Sequence, residues 1–262
     1  NAQVNAQTAS LVVGRNRVDY STGNVTKLAS DGSKTPEFAI DSSAMGGMYA
    51  NRISMLVNET GAGVRVNGAM AANAGDMALT ADGRLVLNGS MTATGNVTVQ
   101  TNGVTNTGTL QAGGVASIAS ASDVTNQGTI GAGNHLGVSA DTLSNTGAMT
   151  AAGSSGVALA VTHGLSNAGQ ISATSGTTLA SAGTVSNARG AILVGQAGMA
   201  LTTAGNLINA GEIGTVAGPL TIRAQSIANT AGQILSQNRD IALETGSLSN
   251  TGAGQIQAGA SL

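Results

Sequence analysis

Short stretches in which aliphatic residues alternate with small or polar ones run along most of the chain, separated by clusters of Gly, Asn, Ser and Thr. After Asn126, apolar side chains fall at Ile130, Leu136, Val138 and Leu143, and the next asparagine of the same kind follows shortly after. The same template follows Asn88, Asn209 and Asn229. Alternation with a period of two is a strand signal. The pattern therefore predicts three short β-strands in each unit.

Each unit is marked by an Asn-x-Gly tripeptide, or a near variant of it, followed by an aliphatic residue. Eight copies begin at Asn106, Asn126, Asn145, Asn167, Asn187, Asn209, Asn229 and Asn250. Two earlier and weaker copies begin at Asn67 and Asn88. Successive asparagines recur at intervals of roughly 20 residues, and a period of this length is the signature of a solenoid.

The composition of the units decides between kinds of solenoid. Helical repeats are disfavoured because Gly recurs every few residues, at a cost of about 1 kcal/mol each in a helix, and a unit of this length cannot hold two helices. The tight leucine pattern of leucine-rich repeats and the nine-residue calcium repeat are both missing. The sequence therefore predicts an all-β fold, a parallel β-helix with three short strands per turn of about 20 residues, stacked about 4.8 Å apart.

The chain divides into two parts. Residues 67–262 are predicted to form about ten regular turns, and residues 1–66 less regular β-helical turns with an exposed loop or hairpin near residues 20–37. Half of the charged residues of the chain lie in the range 1–65, together with all of its aromatic residues, Tyr20, Phe38 and Tyr49. The segment from Ser30 to Phe38 has the Gly, Pro and charged residues of an exposed tip.

The repeated asparagines have a physical role in this fold. A column of Asn at one position of every turn can form side-chain hydrogen bonds along the axis, as Asn ladders do in stacked sheets. The glycine two positions later is expected to supply a positive φ at the corner. An alternative interpretation makes the three Asn-Gly pairs at Asn67, Asn88 and Asn102 type I′ hairpin turns, although the third is out of register with the column.

Composition explains and limits the picture. The bore of a β-helix is narrow, so inward positions take aliphatic residues, in agreement with 1% aromatic and 41% hydrophobic residues. Intrinsic disorder is disfavoured by a net charge of only −2 and a mean hydropathy of +0.16. Collagen is excluded because Gly has no three-residue period and the chain has 2 Pro.

Charge and cysteine content exclude further classes. With no Cys, the chain can form no disulfides, zinc knuckles or thiol nucleophiles. No basic residue occurs between Arg84 and Arg189, so we expect no nucleic-acid partner. No long apolar run predicts a transmembrane segment, and the first residues do not resemble a signal peptide. Because the sequence starts without Met, we expect a fragment of a longer protein.

The residues capable of chemistry do not form a convincing site. His135 and His163 belong to neighbouring predicted turns, and the acids near them are Asp123 and Asp141, so solvated histidines are favoured over a metal pair. Asp76 and Asp82 could form a glycosidase-like carboxylate pair, but no aromatic platform for a sugar accompanies them. The sequence therefore predicts no catalytic, cofactor-binding or metal-binding residue.

Other charged residues are interpreted structurally. The late group of charges is predicted to be a solvated outer face on which Arg223 and Glu244 of adjacent turns form an exposed pair that contributes little. Its members are Glu212, Arg223, Arg239, Asp240 and Glu244.

Structural roles are also predicted for three residues nearer the amino terminus. Arg52 and Glu59 are predicted to be buried or half-buried charges that hold the irregular turns together, with direct ligand binding as the alternative. Tyr49 is predicted to be a packing or capping residue, with a receptor contact as the alternative.

The block AIDSSAMGGMYANRISMLVNETGAGVRVNGAM, from Ala39 to Met70, resembles the segment after the secretion domain of filamentous haemagglutinin-like exoproteins, the secreted partners of bacterial two-partner secretion. The upstream VVGRNRVDYSTGNVTKL is similar as well, and the later repeats resemble the haemagglutinin repeats of that family. The resemblance implies a right-handed β-helical shaft without catalytic residues or cofactors. It also implies export through a dedicated outer-membrane transporter, a location outside the bacterial cell or on its surface, and display as a filament.

The leading functional hypothesis is a structural shaft segment of a secreted adhesin, with the stalk of a contact-dependent growth inhibition protein as an alternative. Its expected partners are the transporter during export and a receptor or glycan on a host or neighbouring cell, and the filament is expected to be monomeric. A carbohydrate-active β-helix would need acids and aromatic residues on one face, which the repeats lack. A glycan-binding or receptor-binding module would use the Thr-rich and Asn-rich outer faces.

Overall fold

The computed structural model describes residues 2–29, 32–42 and 45–261. The described residues form thirty β-strands and no α-helix, which confirms the all-β prediction. The strands are β1 Ala2–Val13, β2 Asn16–Val18, β3 Val25–Lys27, β4 Phe38–Asp41, β5 Met45–Val57, β6 Gly63–Val66, β7 Ala69–Ala72, β8 Met77–Ala81, β9 Arg84–Leu87, β10 Ser90–Ala93, β11 Val97–Thr101, β12 Gly103–Asn106, β13 Thr109–Ala112, β14 Val115–Ser120, β15 Val124–Asn126, β16 Thr129–Ala132, β17 His135–Asn145, β18 Ala148–Ala151, β19 Gly156–Asn167, β20 Gln170–Ala173, β21 Gly176–Ser181, β22 Thr184–Asn187, β23 Ile192–Gly195, β24 Gly198–Thr203, β25 Asn206–Asn209, β26 Glu212–Thr215, β27 Leu220–Thr230, β28 Gln233–Ser236, β29 Ile241–Thr251 and β30 Gln255–Ala258.

The chain coils into a parallel β-solenoid of three sheets. One turn consists of β7 in the first sheet, β8 in the second and β9 in the third, and β10, β11 and β12 of the next turn pair with them in parallel. Ser90 of β10 lies between Ala69 of the preceding turn and Thr109 of the following one. Some strands, such as β17 and β19, pass from the second sheet into the third without a break. The predicted architecture of three strands per turn is confirmed.

The core is a set of aliphatic columns inside the coil. Inward and outward positions alternate along most strands, as in the buried–intermediate alternation of β9 and β10. One inward column of the first sheet consists of Met48, Met70, Met91, Leu110, Ile130, Met149, Ile171, Leu193, Ile213 and Ile234. No aromatic side chain is buried among the described residues. The bore thus holds aliphatic side chains stacked on one another, which explains the composition.

The sequence template identifies inward positions correctly. Ile130, Leu136, Val138 and Leu143 are all buried. In the last described turn, Leu248 is 48% exposed because no later turn covers it among the described residues.

The first turn is enlarged by a hairpin. Val4 of β1 pairs with Met48 of β5, so this turn takes about twice as much chain as a regular turn, such as the one that leads from Ser90 to its partner Thr109. Within this insertion β2 and β3 pair in antiparallel fashion. Part of the predicted tip, Ser30 and Asp31, lies outside the described residues. The division at residue 66 stays a prediction, and β5 pairs with β7 and β8 across it, so the core is continuous there.

The corner glycines serve a different purpose from the one predicted. Of the glycines two positions after a ladder asparagine, Gly252 has a positive φ of 61°, but Gly108, Gly128, Gly147, Gly169 and Gly211 do not, so the prediction was wrong along most of the ladder. A Cβ on Gly128 would lie 2.0 Å from the carbonyl oxygen of Gly108 in the preceding turn. Glycine is needed at this corner because the backbones of successive turns approach too closely for any side chain.

The turn between β2 and β3, residues 19–24, forms the tip of the hairpin and is fixed by one carboxylate. The hydroxyl and the backbone N–H of Ser21 donate to Asp19 Oδ1 at 2.6 and 2.9 Å, and the Thr22 N–H donates to the same oxygen at 2.9 Å. Hydrogen bonds from the Ser21 hydroxyl and from Thr22 lower the pKa of Asp19 to about 2. The tip therefore depends on the charged form of this group.

We expect the order of the tip to depend on pH. Since the folded pKa is below the ordinary value of 3.8, the stabilisation is fully present above that value and is lost as the pH falls through about 2. The amide resonances of Ser21 and Thr22, followed by NMR, should titrate near pH 2 while those of the coil stay unchanged. In Ser21→Ala the pKa of Asp19 should rise toward 3.8; an unchanged titration in this variant would contradict the assignment.

Candidate functional site: the asparagine ladder

The eight repeated asparagines form a single file at the inner end of the third sheet. Asn106 Nδ2 donates to Asn126 Oδ1 at 2.7 Å, and every following asparagine donates in the same direction to its counterpart in the next turn. The five further distances from Asn145 through Asn229 to Asn250 are 2.8 to 2.9 Å. The file runs through Asn106, Asn126, Asn145, Asn167, Asn187, Asn209, Asn229 and Asn250. We refer to it as the asparagine ladder.

Each ladder amide also binds backbone. Asn145 Nδ2 donates to the carbonyl of Gln170, at the start of the first sheet in the next turn, at 3.1 Å, and to the carbonyl of Gly147 at 3.2 Å. The equivalent bond to the next turn recurs at 3.0 to 3.1 Å for all seven asparagines that have a successor. One amide therefore fixes the corner between two sheets and the stacking of two turns.

The ladder is buried over most of its length. The seven asparagines from Asn106 to Asn229 are at most 1% exposed, whereas Asn250 is exposed and donates to the carbonyl of Gly254. Polar groups in such surroundings destabilise the fold unless they are hydrogen-bonded. Because the bonds also depend on register, the ladder sets the position of each turn on the one before it. We propose this structural role for the eight residues.

The two early copies do not belong to the ladder. Asn106 pairs with Leu87, and Leu87 with Val66, so aliphatic residues hold the ladder position in those turns. Asn67 and Asn88 lie one position later, and Asn88 Nδ2 donates to Asn67 Oδ1 at 2.7 Å in a separate, exposed pair. Both copies still mark regular turns, because Met70 and Met91 pair in register with Leu110. The interval from Asn88 to Asn106, which is shorter than every interval along the ladder, was the signal of this shift.

The Asn-Gly pairs are not hairpin turns, because the strands that flank each of them run on in the parallel coil. The pair at Asn102 has a different explanation. Arg84 Nη1 and Nη2 bind Asp123 Oδ2 and Oδ1 at 3.0 and 2.6 Å, across the intervening turn at Gly103. A Cβ on Gly103 would lie 2.9 Å from Arg84 Cζ. The hydrogen bonds from Arg84 lower the pKa of Asp123.

The two histidines do not converge on a metal site. His163 Nδ1 contacts Asp141 Oδ1, and His135 Nδ1 contacts the carbonyl oxygen of Ser155 at 3.0 Å. Within the part of the chain that the structure describes, no three His, Cys, Asp or Glu residues are grouped so as to hold a metal ion.

Asp76 and Asp82 flank β8, one just before it and one just after it. The extended chain between them holds them about 20 Å apart, far beyond the roughly 5 to 9.5 Å between the carboxylates of glycosidases. Asp76 accepts the N–H of Asn96, and Asp82 pairs with Lys27 Nζ at 3.1 Å. The geometry therefore excludes a glycosidase pair at these two residues.

The late charged residues disperse except for one pair. Arg223 Nε and Nη2 bind the Glu244 carboxylate at 2.7 Å each on the outer face, as predicted. Arg239 donates to the carbonyl of Ala217, and Asp240 accepts from Ser261.

In the irregular turns, the burial predicted for Arg52 was wrong, because its side chain is exposed on the outer side of β5. Glu59 is half-buried and accepts the N–H of Arg15 at 3.2 Å, and so links the first two turns. Tyr49 is half-buried and packs beside Gly47. Among these three residues, Glu59 thus makes a side-chain hydrogen bond between turns.

A coil of repeated turns with an internal ladder defines a structural repeat protein. The family model for the haemagglutinin repeat matches residues 2–89, 92–169, 150–211 and 215–262. The chain belongs to the haemagglutinin repeat family, and it is a shaft segment of that kind. A repetitive solenoid fits a non-enzymatic region.

Three similar proteins are named as two nucleases and a toxin. The chain is 51% identical over 89 residues to the tRNA nuclease CdiA-2 of Burkholderia pseudomallei. The aligned residues cover 34% of this chain and 3% of the relative. It is 39% identical over 115 residues to the Toxin CdiA of Yersinia pestis, and the aligned residues cover 44% of this chain and 4% of the relative. It is 38% identical over 155 residues to the 16S rRNA endonuclease CdiA of Enterobacter cloacae, covering 58% and 4%.

The chain thus spans only a small part of the length of these relatives. No solved structure matches it. Among the described residues there is no helix that is long and apolar enough to span a membrane.

Proposed function

We propose that this chain is the spacer of a longer exoprotein that leaves the bacterium by two-partner secretion and presents a distal region away from the cell surface. The observation that carries the proposal is the repetition of identical contacts. Each turn binds mainly the turns directly before and after it, through parallel pairing and the asparagine ladder. Length can therefore increase without a change in cross-section, which suits a shaft.

The proposed partners follow from the family. An outer-membrane transporter is the partner during export, and the location is the outside of the cell or its surface. The distal region delivers a toxin or a nuclease, as the names of the relatives suggest, or attaches the cell to a receptor on a host or neighbouring cell. The shaft itself is proposed to be monomeric. A glycan ligand for the repeats is less well supported, because residues 66–262 contain no aromatic residue for stacking on a sugar ring.

The spacer role is tested by removing one period. Deletion of residues 127–145 joins Asn126 to Thr146 and leaves the ladder in register, so the shaft should shorten by about 4.8 Å and stay folded. Deletion of residues 127–136 removes about half a turn and should disrupt the fold. Each deletion is introduced into the longer exoprotein, where antibody labelling measures the amount at the cell surface and a separate assay measures delivery or attachment. The whole-turn deletion should preserve the surface amount and the activity. The half-turn deletion should reduce both quantities.

The opposite result is informative. If the whole-turn deletion reaches the surface in normal amounts but abolishes activity, the removed turn contains a binding site and the spacer proposal is wrong.

A further inference from the structure

Methionine is concentrated near the amino-terminal end of the coil. Of the 8 methionines in the chain, only Met149 and Met199 lie outside residues 45–91. Five of those inside this range are at most 2% exposed and face the bore. We refer to these five as the methionine cluster: Met48, Met55, Met70, Met77 and Met91.

Three members of the cluster occupy one column in consecutive turns. Met48 of β5 pairs with Met70 of β7, and Met70 pairs with Met91 of β10. Met55 and Met77 belong to the second sheet, on β5 and β8, and are also buried. Met70 therefore has a methionine in the turn before it and another in the turn after it.

The bore around the cluster offers no polar side chain. From residue 46 to residue 100, every buried residue is aliphatic, methionine or glycine. The ladder position in these turns is held by Val66 and Leu87, so the amides of the asparagine ladder begin only at Asn106. A polar oxygen attached to one of these sulfur atoms would be buried without a side-chain hydrogen bond, which destabilises a fold.

We propose that the methionine cluster is an oxidation site that makes closure of the amino-terminal turns depend on redox conditions. A peroxide supplies the oxygen. The sulfur lone pair forms the S–O bond, the O–O bond breaks, and the second oxygen leaves as water with the proton of the first. Sulfur gives up two electrons, the peroxide takes them, and the thioether becomes a polar sulfoxide. Turns that must bury such side chains in an apolar bore do not close.

The fold decides when this reaction takes place. In the closed coil the five side chains are at most 2% exposed, so an oxidant reaches the sulfur atoms only when a turn opens locally. The unfolded chain gives them no such protection. For a shaft that coils outside the cell, as proposed above, the sensitive period lies between export and closure. The redox dependence of folding does not itself rest on that role.

The position of Met149 shows why the cluster is the sensitive part. Met149 lies in the same column as Met70, but it pairs with Ile130 and Ile171. One sulfoxide there leaves unmodified turns on both sides, and the turns of a solenoid are stabilised by their neighbours. In the cluster, the turn of Met70 has no unmodified neighbour in its column once all the methionines are oxidised.

The test begins with the full chain, which is unfolded in guanidinium chloride, treated with hydrogen peroxide, freed of peroxide and returned to buffer. Hydrogen exchange followed by mass spectrometry then reports on the amides of β5, β7 and β10. These amides should exchange at least about tenfold faster than in a chain refolded without peroxide. Peroxide added to the folded chain should oxidise the cluster at least about tenfold more slowly than peroxide added to the unfolded chain.

A matched pair of variants assigns the effect to the cluster. Leucine conserves the volume of methionine and already occupies this column at Leu110. The cluster variant combines Met48→Leu, Met55→Leu, Met70→Leu, Met77→Leu and Met91→Leu, and after peroxide treatment it should regain the slow exchange of β5, β7 and β10. The control variant combines Met149→Leu and Met199→Leu, and it should stay as sensitive as the unchanged chain.

A second measurement needs no substitution. Methionine sulfoxide reductases with dithiothreitol return sulfoxides to thioethers. Applied to the oxidised, unfolded chain before its return to buffer, they should restore the slow exchange of the same strands. Restoration would show that the sulfoxides, and not other damage by peroxide, prevent closure.

Three results would overturn the proposal. The first is an oxidised chain that refolds with normal exchange in β5, β7 and β10. The second is a folded chain whose cluster is oxidised as fast as that of the unfolded chain. The third is a control variant that regains slow exchange as fully as the cluster variant.

Discussion

Asn145→Asp should destabilise the coil by at least about 4 kcal/mol at neutral pH, the range reached when a buried charge is left without a partner. The substitution keeps the shape of the side chain but removes its N–H donors. A carboxylate oxygen would then face the carbonyls of Gly147 and Gln170 and the Oδ1 of Asn167, all of which now accept hydrogen bonds from Asn145. Denaturant unfolding followed by far-ultraviolet circular dichroism measures the loss.

The ladder provides its own control. Asn250→Asp makes the same change at the exposed end, where water solvates the charge, and its effect should be below about 1 kcal/mol. Asn145→Ala removes the donors without adding a charge, and should fall between the two, at about 2 to 3 kcal/mol. Equal losses for Asn145→Asp and Asn250→Asp would show that burial of the ladder does not matter.

Gly128→Ala should cost about 3 kcal/mol, the upper part of the range for overpacking a close-packed interior. The added methyl group would lie 2.0 Å from the Gly108 carbonyl oxygen and 2.7 Å from the Thr107 carbonyl carbon. Both neighbours are backbone atoms, so the two turns must separate locally. Hydrogen exchange should show faster opening of the amides of Gly128 and Thr129, which donate to Asn106 and Gly108.

Gly137→Ala is the matched comparison. Gly137 lies on β17, and a Cβ there would meet only the ring of His135, whose Nε2 would be 3.4 Å away. An ordinary contact of this kind, with the smaller conformational freedom of the unfolded chain, predicts no loss and a gain of up to about 1 kcal/mol. If both alanine variants lose stability equally, the close approach of turns at the corner is not the cause.

The sequence predicts the coil well because each turn repeats the same pattern of residues. Inward aliphatic residues recur with a period of two, and asparagine recurs at one corner, so many imperfect copies support a single interpretation. The copies are weakest at Val66 and Leu87, where the ladder position is aliphatic. When these two turns are aligned on the conspicuous Asn-Gly pairs one position later, they are placed out of register with the ladder by one residue.

Other features depend on contacts between turns that a single period does not contain. The need for glycine at Gly128 comes from the carbonyl of Gly108, one turn earlier, and not from the local φ. Gly103 is explained only by Arg84 and Asp123 in the turns on either side. The exposure of Arg52 follows from the register of β5, in which Ile53 and Met55 occupy the inward positions. Stacking thus decides what the linear pattern leaves open.

All seven bonds along the asparagine ladder point the same way, from Nδ2 of one turn to Oδ1 of the next. Their dipoles therefore add along the axis, whereas the backbone dipoles of neighbouring peptides in a sheet largely cancel. Aligned amides of this kind polarise one another. The rod consequently has a positive and a negative electrical end, with the positive one at Asn250, and this asymmetry needs no charged residue on its surface.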